Sequence, residues 1–262
     1  MNLIQKFINL NVKLSILFNK LLPAAFSVDG NKDFIHKVLP NYVKLHDILY
    51  DVGGGSRPFV SISTKRRLSL TIVGLDISAD ELSRAPQGAY DRTIAADLCT
   101  YTGSGDADVA VCQATLEHVP DTAGAIRGLA STVRPGGCVV IFAPCRNALF
   151  ARLNLILPEG VKRRLLFALF PAKAEGHDGF KAYYDRCTPR EIEALAAANN
   201  LVVEERQLYW ISSYFMIFFP TFIFWRIWQG VSYLALGKNA AETFMYVLRR
   251  PLQTTGGDGA SQ

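Results

Sequence analysis

The stretch Asp51-Val52-Gly53-Gly54-Gly55-Ser56 decides the fold class of this chain, because a predicted strand runs directly into a glycine-rich turn. Residues 47–52 form the apolar run, and three consecutive glycines let the backbone turn sharply and come close to a ligand. This combination is typical of nucleotide-binding α/β domains, although an ordinary strand-to-helix turn also fits it. The spacing between this turn and other motifs is therefore needed to distinguish a nucleotide-binding turn from an ordinary one.

Apolar runs and helical patterns alternate from His46 to the end of the chain. Helical periodicity covers 121–133, with Asp121 as the predicted N-cap, and a capping box at 188–191 opens a second helix. Residues 134–137, Arg-Pro-Gly-Gly, predict a turn. Continuous apolar strands separated by helices indicate a parallel sheet that is covered on both faces. The predicted strands are 47–52, 70–76, 92–96, 107–114, 138–143, 202–209 and 241–249.

The composition fits one domain with an apolar character. The chain has 262 residues, of which 50% are hydrophobic and 19% are charged, and its formal net charge is +5. A basic balance of this size fits a weak attraction to anionic lipid headgroups or to nucleic acid. The basic residues lie among aliphatic ones rather than in a polar groove, which argues against nucleic acid.

The cysteines and histidines form neither a disulfide pattern nor a metal pattern. The five cysteines contain no C-x-x-C pair, and their odd number argues against a disulfide framework. Cys112 and Cys138 fall inside predicted strands, so we expect buried thiols in a reducing compartment. The four histidines have no metal-ligand spacing, and we predict no metal site.

A second motif strengthens the nucleotide interpretation. The second predicted strand ends at Asp76, 21 residues after Gly55. An acidic residue at this place accepts hydrogen bonds from both hydroxyls of a ribose. Enzymes that bind NAD share this feature, so it predicts an adenosine-type ligand without naming the cofactor.

Five motifs, in this order and at this spacing, resemble the class I S-adenosylmethionine-dependent methyltransferases. The resemblance covers roughly residues 40–210 and the last strand at 244–249. It implies a Rossmann-like three-layer α/β/α fold with a seven-stranded, mostly parallel sheet that contains one antiparallel strand. It also implies S-adenosyl-L-methionine as the cofactor. The motifs are Asp51-Val52-Gly53-Gly54-Gly55, Val73-Gly74-Leu75-Asp76-Ile77-Ser78, Ala95-Ala96-Asp97-Leu98, the stretch 108–119 containing Glu117-His118, and Arg134-Pro135-Gly136-Gly137 before an apolar strand.

The resemblance implies a role for each cofactor-site residue. The methionine end would be held by Asp51 and by the backbone at Gly53, Gly54 and Gly55, with Gln113 facing the same end. Asp76, with Ile77 beside it, would bind the ribose hydroxyls. Asp97 would accept a hydrogen bond from the adenine amino group, with Leu98 near the ring. The sequence departs from the family at Arg57, where a third glycine is common, and we therefore expect an altered far end of the turn.

Two other classes of protein stay open at this point. A NAD(P)-dependent Rossmann oxidoreductase would share the glycine turn and Asp76. Asp97, the Glu117-His118 pair and the lack of a Tyr-x-x-x-Lys pattern argue against it. A catalytically silent, membrane-associated nucleoside-binding protein would bind the methyl donor and turn over no acceptor.

The expected reaction is methyl transfer to an oxygen or nitrogen of a small or lipid-linked acceptor. His118, just after the fourth strand, and His177 are the candidate catalytic bases. The Glu117-His118 pair resembles the same pair in quinone-modifying O-methyltransferases, although it also occurs in a purely structural role. Tyr183, Tyr184 and Arg186 are candidate substrate contacts, and a solvated loop with packed tyrosines is the alternative.

Apolar segments lie outside this core and suggest contact with a membrane. We divide the chain into an N-terminal amphipathic helix at 1–28, a methyltransferase domain at 29–252 with apolar cap segments at 145–175 and 208–236, and a disordered tail at 253–262. In the first segment, Lys6, Lys13 and Lys20 share one face, and apolar residues occupy the opposite face. We expect a cytoplasmic enzyme at the periphery of the inner face of the cell membrane. Covering the core or a dimer interface is the alternative for these segments.

Overall fold

The computed structural model describes residues 3–158, 160, 181–212 and 214–252, and its centre is a seven-stranded sheet. The strand order is β3-β2-β1-β4-β5-β7-β6. Only β7 runs antiparallel to its neighbours β5 and β6, whereas the other described pairs are parallel. The predicted fold class is therefore confirmed, including its one antiparallel strand. The strands are β1 Ile48–Val52, β2 Thr71–Asp76, β3 Arg92–Ala95, β4 Ala107–Gln113, β5 Val133–Pro144, β6 Val202–Tyr209 and β7 Thr243–Arg249.

Helices connect and flank these strands, and short 3₁₀ or π turns occur at 24–27, 34–38, 116–118 and 237–240. The predicted cap of the helix after residue 188 is present, because the Thr188 side chain accepts a hydrogen bond from the Glu191 N–H and Pro189 is the first helical residue. The α-helices are α1 Leu3–Asn19, α2 Gly30–Asp33, α3 Leu39–Tyr42, α4 Ile62–Leu68, α5 Ala79–Ser83, α6 Thr122–Thr132, α7 Leu149–Ile156, α8 Pro189–Ala198 and α9 Phe219–Leu236.

The start of α6 differs from the sequence prediction. Asp121 stands at the N-cap position, but its side chain makes no capping hydrogen bond. The carboxylate of Asp185 instead accepts a hydrogen bond from the Thr122 N–H at 3.0 Å, and the Thr122 hydroxyl donates to the Asp185 carbonyl. A residue 63 positions away thus caps the helix, which local sequence could not reveal.

The predicted turn at 134–137 is also different in form. These residues belong to β5, and the pairing of β4 with β5 shifts register between Ala107 and Val109. Gly136 has a φ of +83° at this irregularity. The Pro-Gly-Gly sequence therefore interrupts the ladder without ending the strand.

The core lies on both faces of the sheet. Ala110 and Cys112 of β4 belong to one buried apolar cluster, and Val109 and Val111 belong to the other. Because both faces are covered, the strand has no polar alternation, as the continuous apolar run predicted. All five cysteines are free and buried, which confirms the predicted core thiols.

The apolar segments outside the core are partly described. The first contains α1, and the segment 208–236 contains α9, which packs against α1. Of the segment 145–175, residues 145–158 and 160 are described, and they include α7. Among the helices of the described chain, none combines the length and apolar character needed to cross a bilayer. The predicted tail at 253–262 lies outside the described residues.

Candidate cofactor and acceptor site

The glycine turn after β1 is built over the carboxylate of Asp51. Asp51 is buried, and its Oδ2 accepts a hydrogen bond from the Phe59 N–H at 2.7 Å. A Cβ on Gly54 would lie only 2.5 Å from this carboxylate, and a Cβ on Gly53 would overlap Thr115. Burial raises the pKa of Asp51 to about 6. Asp51 therefore organises the turn from below, and glycine is required above it.

Asp76 lies at the adjacent strand end, against the far side of the same turn. A Cβ on Gly55 would lie 3.2 Å from Asp76 Oδ2, and Gly55 has a φ of +49°. The Ser78 N–H donates to Asp76 Oδ1 at 2.9 Å, while partial burial raises the pKa of Asp76. The structure thus brings the glycine turn and Asp76 together, as the spacing predicted.

Tyr90 is a site residue that the sequence did not indicate. Its hydroxyl proton is shared between two acceptors, Asp51 Oδ2 at 3.3 Å and the Gly55 carbonyl oxygen at 3.1 Å. Its ring lies against Gly74 of β2, where a Cβ would come within 2.9 Å. Tyr90, which lies between β2 and β3 in the sequence, therefore links the turn to the sheet. No local sequence motif marks it.

The predicted adenine contacts lie at the end of β3 and beside Asp76. Asp97 is exposed, and its Oδ1 accepts a hydrogen bond from the Cys99 N–H at 2.9 Å. Ile77 is 65% exposed and therefore open to a ligand. Leu98 is buried against α6, where its carbonyl oxygen meets Gly128. The adenine contacts of Asp97 and Leu98 and the cofactor contact of Ile77 stay predictions.

The end of β4 faces the glycine turn and the N-terminal segment. Gln113 Nε2 donates to Asn31 Oδ1 at 2.6 Å, which links β4 to α2 across 82 residues of sequence. The Thr115 hydroxyl donates to the Val52 carbonyl at 3.2 Å. Between them, Ala114 has a φ of +50°, an unfavourable backbone conformation for alanine. Such strain is concentrated at functional sites, so it supports a ligand site at this strand end.

His118 and Glu117 follow on the same loop. His118 Nδ1 is 3.1 Å from the Lys181 carbonyl oxygen, which can only accept, so Nδ1 donates this hydrogen bond. His118 Nε2 lies 3.9 Å from Glu117 Oε1. Burial raises the pKa of Glu117 to about 7, and within the described chain its Oε2 has no hydrogen-bond partner. Glu117 can therefore hold a proton near neutral pH.

The candidate substrate contacts differ in their exposure. Tyr183 is 40% exposed and donates its backbone N–H to the Glu117 carbonyl at 2.8 Å. Arg186 is also exposed, whereas Tyr184 is buried with its ring edge against Phe150. Tyr183 and Arg186 are therefore the accessible members, and Tyr184 supports the loop from the core. His177, the other candidate base, lies outside the described residues.

The match to protein families decides what this site belongs to. The family model described as a methyltransferase domain matches residues 27–206, more than half of the chain. The chain is a class I S-adenosylmethionine-dependent methyltransferase. The methyltransferase therefore uses S-adenosylmethionine, and its family membership argues against the nicotinamide-dependent alternative.

Individual relatives of the methyltransferase agree with this membership. The ubiquinone biosynthesis O-methyltransferase of Hydrogenovibrio crunogenus is 26% identical over 203 residues, which cover 72% of this chain and 79% of that relative. The enzyme of the same name from Aeromonas salmonicida is 29% identical over 164 residues, covering 60% and 63%. A solved S-adenosylmethionine-dependent methyltransferase from Methanosarcina mazei has a TM-score of 0.52 at 17% identity, covering 83% of this chain and 99% of that one. The last comparison supports the fold.

The strand ends of the methyltransferase fit its cofactor. The turn at 53–55 leaves no room for side chains, so its backbone is open to close approach by a ligand. Asp76 offers a half-buried carboxylate beside it, and Ile77 offers an exposed apolar surface. A nucleoside with an attached amino acid needs this combination of backbone, acceptor and apolar contact.

Proposed function

We propose that the methyltransferase transfers a methyl group to a hydroxyl oxygen of a small, lipid-linked acceptor at a membrane surface. The curated relatives are named ubiquinone biosynthesis O-methyltransferases, which supports an oxygen acceptor of the quinone type. The observation that carries the proposal is the placement of His118 just after the end of β4, with its Nδ1 donating to the Lys181 carbonyl and its Nε2 3.9 Å from Glu117 Oε1. This strand end also carries Gln113, beside the glycine turn.

In the proposed reaction, Asp76 accepts hydrogen bonds from the ribose hydroxyls and the turn at 53–55 orients the methionine portion. When bound, the cofactor supplies an electrophilic methyl group on a positively charged sulfur. The acceptor oxygen forms a bond to the methyl carbon as the carbon–sulfur bond breaks, and the bonding pair stays on sulfur. His118 Nε2 takes the hydroxyl proton, and the Glu117 carboxylate 3.9 Å away stabilises the imidazolium.

A lipid-linked acceptor is supported by the apolar surface of the chain. Exposed apolar side chains are concentrated on α1, α7 and α9, the helices of the three apolar segments. A surface of this kind marks an interaction site in a protein that is otherwise water-exposed. We therefore assign the methyltransferase to the cytoplasm, peripherally at the inner face of the cell membrane.

Transfer of a labelled methyl group from S-adenosylmethionine tests this proposal. The acceptors are catechols without a tail, with a short prenyl tail and with a long prenyl tail in lipid vesicles. We expect a methyl ether, formed fastest on the tailed catechols. The Asp76→Asn variant should lose most turnover, whereas Asp80→Asn, whose carboxylate is exposed and paired with Arg84, should keep it. Transfer to amines alone, or to no catechol, would contradict the proposal.

A further inference from the structure

The polarity of α1 is inverted relative to an ordinary surface helix. Asn11, Ser15 and Asn19, spaced four residues apart, form one stripe that is buried. A second stripe is apolar and exposed, although a helix of a water-exposed protein normally buries its apolar stripe. Its members are Phe7 at 54% exposed, Leu10 at 56%, Leu14 at 39% and Leu17 at 60%, and it continues into the turn after α1 with Leu21 at 79%.

The helix α9 also buries polar side chains while it exposes an apolar stripe. Arg226 and Gln229 are buried on its inner side, beside the rings of Phe222 and Trp225. Its outer stripe is apolar, with residues spaced three or four apart. The members of this stripe are Phe224 at 62% exposed, Ile227 at 63%, Val231 at 60% and Leu234 at 87%.

Polar groups between the two helices fix this inverted arrangement. Asn11 Oδ1 accepts a hydrogen bond from the Phe219 N–H at 2.9 Å, and the Ser15 hydroxyl donates to the Met216 carbonyl at 3.1 Å. These bonds satisfy polar groups that would be costly to bury alone. Turning either helix to bury its apolar stripe would break them.

Arg226 anchors the pair to the catalytic domain. Its guanidinium donates to Asn19 Oδ1 at 2.5 Å, to the Phe26 carbonyl at 2.9 Å and to the Trp210 carbonyl at 2.9 Å. The partners lie on α1, on the turn that follows it and at the end of β6. The apolar stripes therefore hold one fixed orientation relative to the sheet.

Three lysines border the apolar stripe of α1. Lys6, Lys13 and Lys20 are exposed, and each directly precedes a member of the stripe in sequence. One residue corresponds to about 100° of helix rotation, so Lys6 and Lys13 lie beside the stripe rather than opposite it. Lys20 and Leu21 are neighbours in the turn after α1. The sequence expectation of opposite faces is therefore wrong, because each lysine is one residue away from a member of the stripe. Lysine beside aliphatic side chains suits the headgroup boundary of a bilayer.

We propose that the apolar stripes of α1 and α9, here called the α1–α9 face, bind the surface of a bilayer that contains anionic phospholipid. This inference rests on the proposed function and names the partner that presents the lipid-linked acceptor. Neither helix contains an acidic residue, so two copies of this face would bring lysines together without a carboxylate. Anionic headgroups supply the missing negative charge.

The face is linked to the cofactor site through the chain itself. The segment that carries α1 continues into α2, where Asn31 Oδ1 accepts the hydrogen bond from Gln113 at the end of β4. Gly30 lies against the ring of Tyr209, where a Cβ would come within 2.6 Å, so this segment has little freedom to shift. Docking of α1 therefore holds the wall of the site at the membrane.

Vesicle sedimentation tests the apolar part of the face. The full chain is mixed with vesicles of phosphatidylcholine, with and without phosphatidylglycerol, and the Leu17→Gln/Leu234→Gln variant is compared with Leu45→Gln/Val202→Gln. The control pair is similarly exposed, at 57% and 56%, but lies elsewhere. We expect the first variant to lose about tenfold or more in affinity for anionic vesicles, and the control to bind like the unmodified chain.

A charge series tests the lysine border. The Lys6→Gln/Lys13→Gln/Lys20→Gln variant should lose about fivefold in affinity for each lysine removed, and only on anionic vesicles. The variant Lys44→Gln/Arg66→Gln/Arg67→Gln removes three exposed charges elsewhere and should lose much less. Equal losses in both variants would reduce the effect to net charge and overturn the assignment.

Two further results would also overturn the docking proposal. One is failure of the unmodified chain to bind anionic vesicles. The other is a dimer in sedimentation velocity that Leu17→Gln/Leu234→Gln converts to a monomer. Thermal melting and S-adenosylhomocysteine binding are measured on every variant. If the unmodified chain binds S-adenosylhomocysteine but no vesicles, only the proposal for the α1–α9 face fails. If the unmodified chain does not bind S-adenosylhomocysteine, the proposed function fails.

Discussion

Single residues at the strand ends form the candidate cofactor site. Gly53 combines a φ of +79° with a position where any Cβ would overlap Thr115. Gly88 has a nearly identical φ of +81°, but a Cβ there would have no neighbour within 4 Å. Alanine at either position would have the same unfavourable backbone conformation, but only alanine at Gly53 would also clash with Thr115. The two glycines therefore separate the backbone cost from the cost of the clash in the turn.

Replacing Gly53 with alanine should strongly weaken cofactor binding. A left-handed backbone costs alanine about 1 kcal/mol in either position, but only at Gly53 does the new methyl group also displace Thr115 from the turn. We expect Gly53→Ala to lower the affinity for S-adenosylhomocysteine by more than about tenfold in calorimetry. Gly88→Ala should lose similar backbone stability and bind normally. Equal affinities for the two variants would argue against the turn as the binding element.

His118 should act on the chemical step and not on cofactor binding. His118→Asn keeps a polar side chain but removes the basic nitrogen, so kcat should fall by about 100-fold or more. The affinity for S-adenosylhomocysteine should stay unchanged, because the cofactor contacts proposed on β1, β2, β3 and at Gln113 of β4 do not include the His118 side chain. Single-turnover methyl transfer measures the first quantity and calorimetry the second. An unchanged single-turnover rate would exclude His118 as the base.

At the scale of elements, the helices were harder to predict than the strands. The central strands are apolar on both faces, so their runs mark them directly, as Val109 and Cys112 illustrate in β4. The cap of α6 comes from Asp185, and the inner polar stripe of α1 needs partners from α9. Such contacts depend on tertiary structure, and a helical wheel alone assigns the apolar stripe of α1 to the inside.

The cap of α6 gives a direct test at this scale. Asp185→Ala removes the acceptor for the Thr122 N–H and should lower the free energy of unfolding by about 1 kcal/mol. Asp121→Ala should have a smaller effect, because that side chain makes no capping hydrogen bond. Urea denaturation of the two variants measures the difference. A larger loss in Asp121→Ala would show that the helix is capped locally.

At the scale of the whole molecule, buried carboxyls oppose stability at high pH. Burial raises the pKa of Glu117 and of Glu242 to about 7, from 4.5. Well below pH 4.5 both groups are protonated in the folded and in the unfolded chain, so the folded chain does not have to bury an ionised carboxylate. As the pH rises from 4.5 to 7, the unfolded chain loses these protons first, so the free energy of unfolding falls.

Glu242→Gln should therefore become more stable relative to the unmodified chain as the pH rises. The relative gain between pH 4.5 and pH 7 should reach up to about 3 kcal/mol, since the amide does not ionise. Glu204→Gln, an exposed residue paired with Arg249, should show little pH dependence in this range. Urea denaturation at pH 5 and pH 8 compares the variants. A constant difference for Glu242→Gln would contradict the raised pKa.

The sequence predicts where several candidate cofactor-site residues lie and less of their surroundings. The glycine turn, Asp76 and Gln113 each lie at a strand end, so local pattern was sufficient to place them, and their contacts with the cofactor stay predictions. Tyr90 and Asn31 are not marked, because their contacts come from chain segments 39 and 82 residues away from their partners. The inner face of α1 was missed for the same reason.

We propose that the ends of β1, β2 and β4 together hold one molecule of S-adenosylmethionine beside His118. A crystal structure of the chain with S-adenosylhomocysteine tests it most directly. We expect Asp76 on the ribose hydroxyls, the turn at 53–55 against the methionine portion, and the sulfur facing His118. A ligand bound elsewhere, or with its sulfur turned away from β4, would contradict it.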